Sequence, residues 1–497
     1  MVDIQPVADT GYETVIGLEV HVQLQTRSKM FCACGADYQT APPNSRVCPV
    51  CLGLPGTLPV INRRAVEFTI MTGLALHCQI PGYSKFDRKN YPYPDLMKGY
   101  QISQYDLPLA SGGYLDIEVG GQTKRIGITR VHLEEDVAKL QHFPSPAGDS
   151  YSLVDVNRSG VPLMEVVGEP DLRSSEEARA YLMALHSVVQ YLGVSTANMQ
   201  DGSFRCDANV SIRPRGAQRH GTRTEVKNMN SFRSVFLALN YEVERQRRVL
   251  EDGGRVVQET RGWVEERGVT VSQRSKEQAH DYRYFPEPDL PPLVISPGWV
   301  EELRGRLPEL PAQRKARLVG EYGIPEYDAG LLTGSRATAD YFEQAAGGPG
   351  SAAFAKQVSN WMLGDLTRLL NLANQDISQT RVTPAHLAEL IGLIEAGTLS
   401  TTLAKTVLEE AFQTGHRPGD IVRDRGYAQI SDSGVVEEAV AQAIASNPKA
   451  VADYRSGKET AARFLVGQVM KITRGQAKPE LVNELVRRQL DALKESQ

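Results

Sequence analysis

Four of the chain's six cysteines fall in two close pairs, Cys32 with Cys34 and Cys48 with Cys51, spaced C-x-C-x13-C-x2-C, with Gly35 and Gly53 close by. Two such thiolate pairs brought together supply four soft donors in a tetrahedral array, which suits zinc. Four thiolates close the shell and leave no open position, so a zinc knuckle over residues 32–51 is expected to be structural. The competing reading is four unrelated reduced thiols; a redox pair alone would leave the second pair unexplained. Cys78 and Cys206 read as ordinary apolar residues.

A second group combines carboxylates with imidazole. It comprises Glu19 and His21, the run His132-Leu133-Glu134-Glu135-Asp136, and Glu165 inside the apolar stretch Pro162–Val167. A carboxylate in such a stretch is costly to bury unless it is paired or bound to a cation. Hard oxygen donors with one imidazole suit magnesium or manganese, above all where nucleotide phosphates complete the shell. Solvated strand faces and core salt bridges account for the same residues from spacing alone. A third group is polar: Arg205, Asp207, Asn209, Ser211 and Arg213 alternate with apolar residues, and Arg223, Glu225 and Lys227 repeat the pattern. Such a face is either solvent-exposed or lines a cleft. The segment Lys85–Tyr100 interleaves basic and aromatic residues, as anion-binding loops do. The chain has no G-x-x-x-x-G-K-[ST], G-x-G-x-x-G, G-x-S-x-G or H-E-x-x-H motif. Any ATP is therefore held by metal and cationic side chains rather than by a P-loop.

Strands and helices must position these groups. From Tyr12 to Gln25 the even positions are nearly all apolar, so period two sends Glu19 and His21 to the opposite face. Tyr114–Val119 and Lys124–Thr129 flank Gly120-Gly121, a hairpin signal, and Phe204–Arg213 reads as another alternating strand. Between them Ser174 is an N-cap with Glu177 completing a capping box, Tyr181, Leu182, Leu185, Val188, Val189 and Leu192 form a buried stripe, and Gly193 ends the helix. Tyr282–Pro292 is too proline-rich for regular structure and reads as an ordered loop near the end of a first domain. Helical periodicity dominates from about Glu301, with helices over Phe354–Leu372, Pro384–Ala396 and Ala461–Thr473, and a last one opening at Pro479.

The hydrophobic share of 41% and charged share of 23% are those of a soluble globular protein, and the net charge of −5 gives no whole-chain footprint for nucleic acid. From Arg455 onward, however, nine Lys/Arg stand against five Asp/Glu on amphipathic helices, which is compatible with an RNA backbone or with a solvated face. Met1–Thr10 lacks the features of a signal peptide and no stretch is apolar enough to span a membrane, so a cytoplasmic location is expected.

Long stretches of the chain, among them YETVIGLEVHVQL (Tyr12–Leu24), SKFDRKNYPYPD (Ser84–Asp95), TKRIGITRVHLEEDVAK (Thr123–Lys139), YSLVDVNRSGVPLMEVV (Tyr151–Val167), GSFRCDANVSIRP (Gly202–Pro214), DYRYFPEPDLPPL (Asp281–Leu293) and FLVGQVMKITRGQAKPELVNELV (Phe464–Val486), closely resemble the B subunits of aspartyl/glutamyl-tRNA amidotransferases, in the family's order. The resemblance implies an ATP- and magnesium-dependent ligase that phosphorylates the side-chain carboxylate of Glu or Asp misacylated on tRNA(Gln) or tRNA(Asn). Ammonia from a partner amidase (the A subunit), held in place by a small third chain (the C subunit), then displaces phosphate. It implies an α+β fold: a β-rich cradle resembling glutamine synthetase (residues 1–299), a helical domain (300–412) and a small all-α, tRNA-binding tail (413–497). His21, Glu135 or its neighbour Glu134, and Glu165 match the family's magnesium ligands, with Glu19 adjacent. Alternation puts Glu134 and Glu135 on opposite faces, so only one reaches the metal, and Glu135 is preferred. Arg205, Asp207 and Asn209, with Lys227, are the nucleotide- or phosphate-contacting candidates by the same resemblance. Two rivals stand beside it: a free-standing ligase acting on a small amino acid, and a non-enzymatic RNA-binding scaffold.

Overall fold

The computed structural model describes residues 11–144, 150–275, 282–347, 351–427, 433–473 and 476–495. The leader reading at Met1–Thr10 lies outside them, as do Asp281, Arg474 and Gly475 of the stretches named above. The alternation at the start of the chain becomes strand β1 (Tyr12–Gln23), whose Ile16, Leu18, Val20 and Val22 are buried. It is the centre of an eight-stranded sheet with β2 (Ala110–Val119), β3 (Gln122–Glu135), β4 (Pro162–Gly168), β5 (Phe204–Pro214), β6 (Thr224–Lys227), β7 (Glu259–Val264) and β8 (Val269–Ser275). The spatial order is β8-β7-β6-β5-β1-β4-β3-β2, antiparallel except for the β6–β7 pair. Gly120 and Gly121, both at positive φ (60° and 76°), make the β2–β3 turn, a conformation that non-glycine residues rarely adopt.

One face of the sheet carries the core. Helices α1 (Arg63–Ala75), α2 (Ser175–Tyr191) and α3 (Phe232–Glu251) pack there, with Tyr181, Leu182, Leu185 and Val189 of α2 fully buried. Each such aliphatic side chain contributes roughly 1.5–3 kcal/mol relative to exposure. Ser174 caps α2 by accepting from the Glu177 N–H at 3.1 Å. The Glu177 carboxylate instead takes the Arg173 N–H (2.7 Å) and Lys124 (2.6 Å), so the expected capping box is only half formed. The opposite face is polar and is flanked by a small sheet of Asp87–Asn90, Tyr100–Ser103 and Phe285–Pro286. The proline-rich segment expected to be a loop thus contributes a short strand, pinned where Arg88 pairs with Glu287 at 2.7 and 2.8 Å.

The chain divides into one unit over Met1–Leu310 and a second over Pro311–Gln497. Helix Pro297–Gly305 buries Leu303 in the first unit's core. Among the described residues the second unit is helical, with two apolar clusters, Leu318 to Val422 and Val436 to Leu490. The run over Phe354–Leu372 contains a π turn at Met362–Leu366. A mixed fold with a large sheet and many helices agrees with the α+β expectation. No helix among the described residues is long and apolar enough to cross a membrane.

Candidate active site

Antiparallel register draws the chemistry-bearing residues into one line. Across β5, β1, β4 and β3, Arg205, His21, Glu165 and His132 sit side by side. Because alternate residues share a face, all four project from the side opposite the core. His21 Nε2 lies 3.6 Å from Glu165 Oε2 and 4.0 Å from Glu134 Oε1, while His132 Nε2 lies 3.3 Å from Glu165 and 3.8 Å from Glu134. Ligand atoms of His21, Glu134 and Glu165 all fall within 4.8 Å of one another, close enough to share one cation. Ser103 from the small sheet donates to Glu134 at 3.1 Å and fixes its orientation.

Glu135, the preferred neighbour in the sequence reading, points away. Its carboxylate accepts from Lys98 Nζ at 2.6 Å and the Ile102 N–H at 3.0 Å, beside a cavity of about 220 Å³ that Cys32, Cys51, Tyr100 and Asp289 also line. A register shift between Ile128 and Arg130 causes this. Before it the even residues Ile126 and Ile128 face the core; after it the odd residues Val131 and Leu133 do, leaving His132 and Glu134 on the cleft face.

Burial alone would discharge these groups, and mutual pairing keeps them charged. Burial opposes protonation of His132, yet Glu165 and Glu134 push its pKa up to about 9. Burial likewise acts to raise Glu165, but His132 and His21 hold it well below the carboxylate range. Glu134 is lowered against its own burial by His132 and Lys89. Lys89 is itself held above its ordinary value, against burial, by the Glu134 and Glu165 charges. Glu19, hydrogen-bonded by Asn209 Nδ2 at 2.9 Å, is raised by burial and by the nearby Glu165 and Asp207. This concentration of buried acid on one strand face is the setting in which a divalent cation is favoured, and carboxylate oxygens with one imidazole fit magnesium or manganese.

The remaining candidates share the face. Asp207 lies opposite Glu19 and is paired by Lys227, which also meets Glu225 at 3.1 Å; burial works against the Lys227 charge, and the two acids raise it. Arg205 Nη1 donates to Asp136 Oδ2 at 3.1 Å and to the Gly202 carbonyl at 3.0 Å. Sequence reasoning did not single out His132, Lys89 or Asp136 as site residues. His132 stood in the acidic run, and Lys89 in the basic–aromatic segment, whose alternation was the available signal.

The four cysteines also converge, with Cys32, Cys34, Cys48 and Cys51 sulfurs all within 4.8 Å of one another, a cluster that can hold a metal and fits zinc. Fully buried Lys29 supports the fit. Among the described residues its ammonium makes one hydrogen bond, a 3.5 Å contact to the Val156 carbonyl. Gly160 lies beside it at a φ of +81°, a conformation that a residue with a side chain adopts only with strain, and a Cβ there would come into ordinary contact with the Lys29 stem and Cys51. A tetrathiolate centre would supply the negative charge this ammonium lacks. The Cys51 thiol is already drawn down to about 4, chiefly by hydrogen bonding to Cys32 and also by Lys29.

The cleft strands and the knuckle fall inside a match to the GatB/GatE catalytic domain over residues 14–301, and residues 340–490 match the GatB domain. The B subunit of the aspartyl/glutamyl-tRNA(Asn/Gln) amidotransferase from Dehalococcoides mccartyi (strain CBDB1) is 56% identical over 489 residues, covering 97% of this chain and 99% of that protein. The chain belongs to this family. B subunits of the same name from Caldicellulosiruptor saccharolyticus (57% over 485 residues) and Moorella thermoacetica (58% over 479) cover 97% and 96% of this chain and the whole of each relative. Membership therefore extends over both units of the family fold and is not confined to the sheet.

Proposed function

We propose that the chain is the kinase and transamidase component of a glutamine-hydrolysing aminoacyl-tRNA amidotransferase, converting Glu-tRNA(Gln), Asp-tRNA(Asn) or both to the amidated forms at the expense of ATP, in the cytoplasm. The observation that carries this reading is the convergence of His21, Glu134 and Glu165 within 4.8 Å beside Arg205. In it these three residues hold magnesium, which when bound neutralises phosphate charge during transfer. Arg205 and Lys227 supply cationic contacts to the nucleotide phosphates, with Asp207 and Asn209 fixing Lys227 and Glu19 in place. A side-chain carboxylate oxygen of the aminoacyl group attacks the γ-phosphorus and ADP leaves, so a poor electrophile gains a leaving group. Ammonia then adds to the acyl carbon, phosphate departs and the amide remains.

Further parts of the reading rest on family membership: a cradle like that of glutamine synthetase over residues 1–299, a helical domain over 300–412, ammonia from the amidase (the A subunit) clamped by the small C subunit, and tRNA bound by the helical tail at 413–497. Zinc in the knuckle is structural. The test uses the chain co-purified with its partners, misacylated Glu-tRNA, ATP, magnesium and ammonium chloride in place of glutamine. Wild type is expected to form Gln-tRNA and Glu165→Gln to lose it; equal activity removes Glu165 from the site. Amidation of free glutamate without tRNA would favour a small-molecule ligase instead.

A further inference from the structure

The knuckle and the cleft are joined by a chain of polar side chains whose middle members, Gln23 and Asp136, are buried. Tyr38, in the loop between the two cysteine pairs, exchanges hydrogen bonds with the Gln23 amide at 3.0 and 3.1 Å. Gln23, at the end of β1 and two residues beyond His21, donates to Asp136 Oδ2 at 2.6 Å. The same oxygen receives Arg205 Nη1 at 3.1 Å. Asp136 is 3% exposed and fixed from every side: its other oxygen accepts the Val137 N–H at 2.9 Å and faces Arg158 at 3.6 Å, and its main chain bonds Val161 and Gly160. Burial opposes its ionisation, yet Arg205 and Arg158 hold it as carboxylate. The far side of the knuckle loop is tied down as well, by Arg46 N–H to Asn157 Oδ1 at 2.7 Å and Asn157 Nδ2 to the Pro42 carbonyl at 2.7 Å.

Arg205 is thereby held by one nitrogen only. Its Nη1 serves both Asp136 and the Gly202 carbonyl, its Nε and Nη2 make no hydrogen bond among the described residues, and its side chain is 34% exposed on the cleft face. A guanidinium clamped on one side and open on the other is a preorganised fork for an anion, phosphate above all. What reaches the cleft from the knuckle is Tyr38, whose placement depends on the loop between the two cysteine pairs.

We propose that Tyr38, Gln23 and Asp136 are positioning residues through which the cysteine knuckle sets the reach of Arg205 toward the nucleotide phosphates. This rests on the nucleotide-binding reading of the cleft given above. It gives the knuckle a role in ligand affinity that a fold-stabilising metal site alone does not have.

The test measures binding of a non-hydrolysable ATP analogue with magnesium to the co-purified complex, by calorimetry. Tyr38→Phe removes one hydroxyl and keeps the ring, so it is expected to weaken binding about fivefold, the loss of one net hydrogen bond, with unchanged zinc content and a melting temperature lowered by no more than about 2–3 °C. Arg205→Gln weakens binding more, and adding Tyr38→Phe to it has no further effect, because the relay then has nothing to position. Asp136→Asn should resemble Arg205→Gln; if it does not fold, the Tyr38 cycle still decides. Unchanged binding in Tyr38→Phe, or the same loss with and without Arg205, overturns the relay while leaving the nucleotide reading intact. Wild-type binding by Arg205→Gln sinks the nucleotide reading and the relay with it.

Discussion

Changing one carboxylate to an amide at two adjacent positions separates the two faces of β3. Glu134→Gln keeps the shape and the Ser103 contact but removes one charge from the group formed with His21 and Glu165. A unit charge at ~4 Å in an effective dielectric of ~20 is worth about 4 kcal/mol. Half of that, after relief of repulsion with Glu165, weakens a cation's affinity about 30-fold. Glu135→Gln instead strands the Lys98 ammonium, which is only 16% exposed and 2.6 Å from its partner. Breaking a buried pair costs about 3–5 kcal/mol, and at about 2–3 °C per kcal/mol for a large unit the melting temperature falls by about 6–15 °C. Manganese titration followed by electron paramagnetic resonance, with calorimetric melting of the same samples, reads both quantities. Glu134→Gln should lose affinity, and Glu135→Gln should melt early while binding manganese within about threefold of wild type, a margin below 1 kcal/mol. If Glu135→Gln loses as much affinity as Glu134→Gln, the assignment of faces is wrong.

Other consequences follow from single side chains. Lys29→Met keeps the buried stem and removes its charge, so zinc should pass to a chromogenic chelator about tenfold faster, equivalent to about 1.4 kcal/mol; an unchanged rate at equal zinc content would show that Lys29 does not offset the thiolates. Leu185→Ala in α2, with its side chain fully buried against the sheet, should cost about 2–5 kcal/mol in denaturant unfolding, and a loss under 1 kcal/mol would contradict the packing described. His186 lies between Phe204 and Phe232, and burial lowers its pKa in the folded chain. The unfolded chain therefore takes up the proton first, and stability is lost as pH falls below about 6.5. His186→Phe should flatten the fall in melting temperature between about pH 7.5 and 5.5, and an identical slope would exclude this histidine as a source.

The sheet was legible wherever one face is strictly apolar. Alternation in Tyr12–Gln23 and Phe204–Pro214 was enough to place Glu19, His21, Arg205, Asp207 and Asn209 on a common type of face, and the cysteine spacing was enough to expect convergence. Pairing partners were not legible, because alternation says which residues share a face of one strand and nothing about register between strands; the line Arg205–His21–Glu165–His132 needed the fold. Alternation separated Glu134 from Glu135 without saying which faces the cleft, because a one-residue shift in β3, invisible in composition, reverses which parity faces the core. The buried relay through Gln23 and Asp136 was hidden for a related reason. Gln23 read as one of the polar positions of the first strand and Asp136 as the end of the acidic run, and only tertiary packing brings Tyr38 and Arg205 to them.

Phosphorylation of a tRNA-borne carboxylate in this cleft can be followed on its own when no amide donor is present. The co-purified complex, with glutamine and ammonium omitted, is given ATP, magnesium and misacylated or correctly charged tRNA, and ADP is measured. ADP is expected to form with misacylated Glu-tRNA or Asp-tRNA only, and its formation is expected to be lost in Glu165→Gln. ADP formation that ignores the tRNA's aminoacyl group, or that persists undiminished in Glu165→Gln, would contradict that chemistry.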